Sequence, residues 1–236
     1  LTNGNSYVLA ATTDAPVVND NEIRSKYGKN TPFAVTFAAI DTKATGKAQN
    51  IEANQKGIEL ARVEDGHFDP KNPNDFYFVT TESNKDPKAT ASNPATPTVS
   101  RDGGGLWRLR FADVTNPAKG GTLELLLDGS EAPLLSKPDN MTIDPKGYLI
   151  IQEDPGKNDL LARLVAYRIS DGKLAVMGQF DEQYFKTGAA KFMTTDEESS
   201  GIASVTSLLN KGDGASYFMF NAQVHAPLAV ARPDLA

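Results

Sequence analysis

Along the chain, short runs of aromatic and β-branched residues alternate with polar turn clusters. Residues 6–12 (SYVLAAT), 32–40 (PFAVTFAAI), 76–81 (FYFVTT), 106–111 (LWRLRF) and 122–127 (TLELLL) have the length and composition of half-buried strands. So do residues 148–152 (YLIIQ), 164–169 (LVAYRI), 174–180 (LAVMGQF) and 217–221 (YFMFN). Asp-Gly pairs beginning at Asp65, Asp102, Asp128, Asp171 and Asp213 punctuate them as tight turns do. The clearest hairpin spans residues 164–180 and turns at Ser170-Asp171-Gly172. Helical periodicity is scarce. Residues 19–27 predict a short helix capped by Asn19 or Asp20, and Asp181 predicts a cap for a turn through Phe185. Asp159 is assigned to a turn. Residues 84–105 are rich in Pro, Ala, Ser, Thr and Gly without periodicity and read as an exposed loop inserted between two strands.

The strands repeat as groups. One unit runs FDPKNPNDFYFVTT, GLWRLRF, GGTLELLLDG, and a second runs IDPKGYLIIQED, RLVAYRI, GKLAVMGQF. Their Asp-Pro-Lys turns, at Asp69 and Asp144, lie 75 residues apart. A third unit opens with SLLNKGDGASYFMFNAQ. Repeated strand groups of this size predict an all-β fold of β-propeller type with short helices and long loops. Two full units, a third begun and a partial one before Arg62 amount to about three to four blades in residues 1–236. Propellers close their ring to remove free strand edges, so the expectation is a portion completed by another segment or another chain.

Composition narrows the function. A net charge of −6 argues against a nucleic-acid partner and permits cations. No apolar run is long enough to span a bilayer. The 236 residues contain no Cys, which removes disulfides, thiolate ligands and Cys nucleophiles. His67 and His225 are candidates for ligands or acid/base groups, but with no second His at ligand spacing they read first as hydrogen-bonded structural residues. Trp107 reads as core packing. Ser199 and Ser200 lack triad partners, and Gly103 to Gly105 precede a strand, which rules out a phosphate-binding Gly-rich loop before a helix.

Four motifs carry a resemblance. Residues 62–81 (RVEDGHFDPKNPNDFYFVTT) are similar to the Arg-Pro-Glu, Asp-Pro turn and Thr-ended strand of the PhoX-like alkaline phosphatase family. Residues 138–154 (PDNMTIDPKGYLIIQED) resemble that family's next blade, DEESSG at 196–201 its following acidic element, and YFMFNAQVHA its strand ending in Gln and His. The resemblance implies the C-terminal half of a six-bladed propeller in a secreted, periplasmic or cell-surface bacterial protein. It implies partnership with the N-terminal half and a phosphate-ester substrate. It also implies channel metals: Ca²⁺, with Fe³⁺ beside it in the phosphatases. Residue by residue, it carries over Glu64, Asp139, Asp154 and Glu198 as metal ligands. Asp65, Glu153 and Glu197 are expected to be exposed neighbours. Carboxylates meeting at one end of a channel repel one another, and Ca²⁺, which takes about six to eight oxygens, suits such a set. The chain departs from the family at Val63, where Pro is usual, at Asp65, where an aromatic is usual, and in lacking the Cys that accompanies iron. The two readings are therefore a metal-dependent phosphoesterase and a non-catalytic propeller with structural calcium.

Overall fold

The computed structural model describes residues 4–82, 104–133, 135–156, 160–209 and 211–227. The fold is all-β and mostly antiparallel, with a few short helices. The chain begins with β1 (Ser6–Ala11), helix α1 (Asp20–Lys26), β2 (Phe33–Ile40) and helix α2 (Gly46–Lys56). Asn19 caps α1 by accepting the Glu22 amide, and Asp20 is buried in an ion pair with Arg24. No periodicity in the sequence announces α2. Its residues, GKAQNIEANQK, show no apolar stripe and none is buried, so capping by Thr45 is its visible determinant.

Three strand groups follow. The first is a meander of β3 (Val63–Phe68), β4 (Asp75–Thr80), β5 (Gly105–Phe111) and β6 (Gly121–Leu127). The second is a meander of β7 (Pro138–Ile143), β8 (Tyr148–Glu153), β9 (Arg163–Arg168) and β10 (Lys173–Gln179). After the turn-length helix α3 (Glu182–Phe185), capped by Asp181 as expected, the third is a pair, β11 (Glu197–Ser204) and β12 (Phe218–Val224), joined through α4 (Thr206–Leu209). The repeat is thus real, but each unit has one more strand than its apolar pattern shows: β3, β7 and β11 are too polar to read as strands (VEDGHF, PDNMTI, EESSGIAS). Residues before Arg62 do not form a partial unit of their own. β2 pairs with β6 from Phe33 to Val35 and β1 pairs with β2, extending the first sheet to six strands, because Phe33 and Val35 bury into that sheet's core.

Two cores result. Tyr77, Val79 and Leu106 of the first sheet pack on Met141, Ile151, Val165 and Tyr167 of the second. The first sheet's other face, with Phe78, Trp107, Leu109 and Leu123, is covered by Ile23, Ala15 and Val17. Trp107 is wholly buried, and its indole N–H donates to Thr80 Oγ1 at 3.1 Å. The Asp-Pro-Lys turns are equivalent: buried Asp69 accepts the Lys71 amide, and buried Asp144 accepts the amides of Lys146 and Tyr148. In the third group Thr206 Oγ1 takes this role toward the Tyr217 amide at 2.8 Å. The Asp65-Gly66 pair is not a turn but lies inside β3 at a bulge. The predicted 84–105 loop lies outside the described residues except at its end, where Gly104 and Gly105 are buried and Gly105 opens β5.

Candidate functional site

The polar strands β3, β7 and β11 lie side by side, one from each group. One backbone hydrogen bond recurs in all three and fixes which residues correspond. The Thr81 amide donates to the Arg62 carbonyl at 3.0 Å, Asp154 to Lys137 at 2.9 Å, and His225 to Asp196 at 2.9 Å. Arg62 and Lys137 both take the left-handed conformation, φ 54° and 42°, which costs a side-chain-bearing residue energy and sharply re-aims the strand. Two residues beyond each of these anchors stands a carboxylate: Glu64, Asp139 and Glu198. The sequence pattern puts these residues ahead of strands, whereas they lie within them. Bulges in all three strands, between Val63 and Gly66, Pro138 and Asn140, and Ser200 and Ala203, break the ladder near them and turn side chains out of it.

The four expected ligands come together electrostatically. Glu64 accepts from Thr81 Oγ1 at 3.2 Å and from Arg62 Nη2 at 3.3 Å. Burial pushes the Asp139 carboxyl above the usual range, and the charges of Glu64 and Asp154 add to this while Arg62 opposes it. Glu198 is also raised, by burial first and then by the charge of Asp154, with which it shares a hydrogen bond; His225 opposes. Residues distant in sequence, on three strand groups, therefore share one field. Their oxygen donors are the type a hard cation takes. As the side chains stand, no group of three or more His, Asp or Glu converges tightly enough to hold a metal ion among the described residues.

Three residues expected to be exposed neighbours are not. Glu153 is fully buried, held by two bonds from Arg163, at 2.6 and 2.7 Å, and one from the Ser136 amide at 2.7 Å. Glu197 is buried too and accepts the Ala162 amide at 3.0 Å, since strand alternation turns it away from Glu198. Half-buried Asp65 accepts the Met141 amide at 3.0 Å, stitching β3 to β7. Asn140 does the same one sheet on, accepting the Gly201 amide at 2.9 Å. Ser199 belongs to this stitching, since its Oγ accepts from Gln152, whose own carbonyl oxygen accepts the Ile202 amide at 2.9 Å. His67 is exposed, with Nδ1 2.7 Å from its neighbour's carbonyl, and serves no cluster.

His225, read from the sequence as a hydrogen-bonded residue of the Gln-and-His motif, stands beside the acidic cluster. Its Nε2 lies 3.9 Å from Glu198 Oε1 and 2.7 Å from the Gln223 amide nitrogen. The spacing of Gln152 and Asp154 at the end of β8, repeated by Gln223 and His225, was the available signal.

No helix among the described residues is long and apolar enough to cross a membrane. No curated protein and no solved structure matches the chain. The family model described as alkaline phosphatase PhoX matches residues 10–219, a span that contains all three acidic strands and their bulges. The chain therefore belongs to the PhoX alkaline phosphatase family.

Proposed function

We propose that this chain is part of a metal-dependent phosphoesterase of β-propeller form, exported to the periplasm, cell surface or medium. In this reading the three strand groups are successive blades, β3, β7 and β11 are their inner strands, and Glu64, Asp139, Asp154 and Glu198 hold Ca²⁺. The observation that carries it is the placement of Glu64, Asp139 and Glu198 two residues beyond equivalent backbone anchors on three side-by-side strands, and the raised carboxyls of Asp139 and Glu198 agree with it. A divalent cation would turn their mutual repulsion into binding energy. Bound calcium would supply a Lewis acid for a phosphoryl oxygen. Arg62, paired with Glu64 and Glu82 and half-exposed, would meet the remaining phosphoryl oxygens. Iron has no thiolate ligand in this sequence. Among the described residues β12 pairs with β11 alone and exposes Met219 and Phe220, which supports further strands, from the N-terminal half or another chain, completing the ring.

One observation favours the non-catalytic alternative. Asp65, where the resemblance expects an aromatic residue, is spent on the Met141 amide. Melting and p-nitrophenyl phosphate hydrolysis, measured with calcium and after EDTA, separate the readings. Calcium-dependent hydrolysis supports the phosphoesterase. Calcium-dependent melting without hydrolysis supports the structural role. A melting curve indifferent to both additions refutes the cation site.

A further inference from the structure

We propose that Asp65 is a positioning residue, a side chain that sets the spacing between Glu64 on β3 and Asp139 on β7. The inference rests on the phosphoesterase reading above and goes beyond it, because it assigns the distance between two of the carboxylates to a residue outside their set. It starts from the strand edges. β7 and β11 each lie at the edge of their sheet among the described residues, so amides on their outward side have no ladder partner and need an acceptor from another sheet. At β7 the Met141 amide finds Asp65 Oδ2 at 3.0 Å, and at β11 the Gly201 amide finds Asn140 Oδ1 at 2.9 Å. Both acceptors stand three residues beyond an equivalent anchor, Arg62 or Lys137, and one residue beyond a candidate carboxylate, Glu64 or Asp139. In the third strand the corresponding residue is Ser199, whose hydroxyl accepts from Gln152 instead. The stitches thus run from the first sheet to the second and from the second to the third.

The backbone ladders cannot set this spacing, because β3 and β7 belong to different sheets and share no ladder. Bulges between Val63 and Gly66 and between Pro138 and Asn140 also loosen each strand from its own neighbour beside the carboxylates. Asp65 acts on both strands at once. Its Oδ1 accepts the Gly66 amide within the β3 bulge at 2.8 Å, while its Oδ2 holds Met141. One side chain therefore ties the bulge that aims Glu64 to the strand that carries Asp139. Asp65 is half-buried, and each of its oxygens already faces a backbone amide, so it acts as a spacer and not as a contact for substrate. Misplacing reacting groups by about 1 Å can cost about a hundredfold in rate, so loss of the spacer falls on turnover.

The test separates spacing from stability. Values of kcat and KM for p-nitrophenyl phosphate, with calcium present, are measured for the unaltered chain, Asp65→Asn, Asp65→Ala, Asp65→Glu and Asp69→Ala, at a temperature where circular dichroism shows each to be folded. Asp69 caps the turn at the other end of the β3–β4 pair, so its loss destabilises the same sheet away from the carboxylates. Asp65→Asn keeps the acceptor, as Asn140 does in the second sheet, and should hold kcat within about twofold. Asp65→Ala removes the acceptor, and Asp65→Glu moves it out by one methylene. Both should lower kcat by about tenfold or more with KM within about twofold. Asp69→Ala should melt earlier and keep kcat within about twofold. If Asp65→Ala does not fold, Asp65→Glu carries the test. Parental kcat in the folded Ala and Glu variants, an equal loss in Asp65→Asn, or an equal loss in Asp69→Ala overturns the inference while leaving the phosphoesterase reading intact. Absence of hydrolysis by the unaltered chain overturns that reading and this inference with it.

Discussion

Arg163→Met should be among the most damaging single changes outside the apolar core. Glu153 has no exposed side-chain surface, and Arg163, itself 17% exposed, gives it two charge-assisted bonds of 2.6 and 2.7 Å. Methionine keeps most of the packing of the arginine stem but removes both donors. The Ser136 amide remains, yet a buried carboxylate that loses its cation is left uncompensated, which costs about 3–5 kcal/mol. For a chain of this size that is a fall in melting temperature of roughly 6–20 °C. The pH dependence has a definite sign. Burial already raises the Glu153 pKa, and Arg163 is the largest influence opposing it. Without Arg163 the folded-state value rises further above the unfolded one, so the folded state holds the proton more tightly, and stability falls as pH rises through that window. Urea unfolding should therefore show a smaller loss at pH 5 than at pH 8, at an unchanged m-value. Glu153→Gln combined with Arg163→Met should recover most of the loss, because a neutral amide needs no counter-charge. A loss below about 1 kcal/mol, or an equal loss at both pH values, would refute the argument that this carboxylate depends on Arg163.

Gln152→Leu strips the buried clamp from Ser199 and the Ile202 amide, and should cost about 1–3 kcal/mol for each group left unsatisfied, read as a shifted urea midpoint. Asp65→Asn should be nearly silent because an amide oxygen can still accept the Met141 amide, whereas Asp65→Ala should lose about 1–3 kcal/mol; equal losses would show that charge rather than the acceptor matters. Gly66→Ala should destabilise by about 1–3 kcal/mol or more, since its Cβ would lie 2.9 Å from the Phe78 Cβ and press into the Phe76 ring. Met219→Lys combined with Phe220→Lys should reduce self-association in light scattering if the exposed β12 surface is sticky, and scattering unchanged from the parent would count against that role.

Period-two apolar runs and Asp-Gly turns determined nine of the twelve strands among the described residues, because β2, β4, β5, β6, β8 and β9 bury side chains that must be hydrophobic, and β1, β10 and β12 share their composition. The Asp-Pro-Lys repeat likewise announced the equivalence of Asp69 and Asp144, since their side chains cap a local turn and need nothing distant. The strands that carry the site, β3, β7 and β11, were illegible for the converse reason. They present carboxylates, hydroxyls and glycine, and they hold strand geometry through neighbours far along the chain, such as the Met141 amide on Asp65 and the Gly201 amide on Asn140. Family motifs could nominate Glu64, Asp139, Asp154 and Glu198 but could not set their distances. Only the stacking of three sheets decided that Asp139 feels Glu64 and Asp154, that His225 stands beside Glu198, and that Glu153 and Glu197 turn inward. A local pattern fixes which side chains leave a strand on the same face; burial and charge depend on what the next sheet brings against that face.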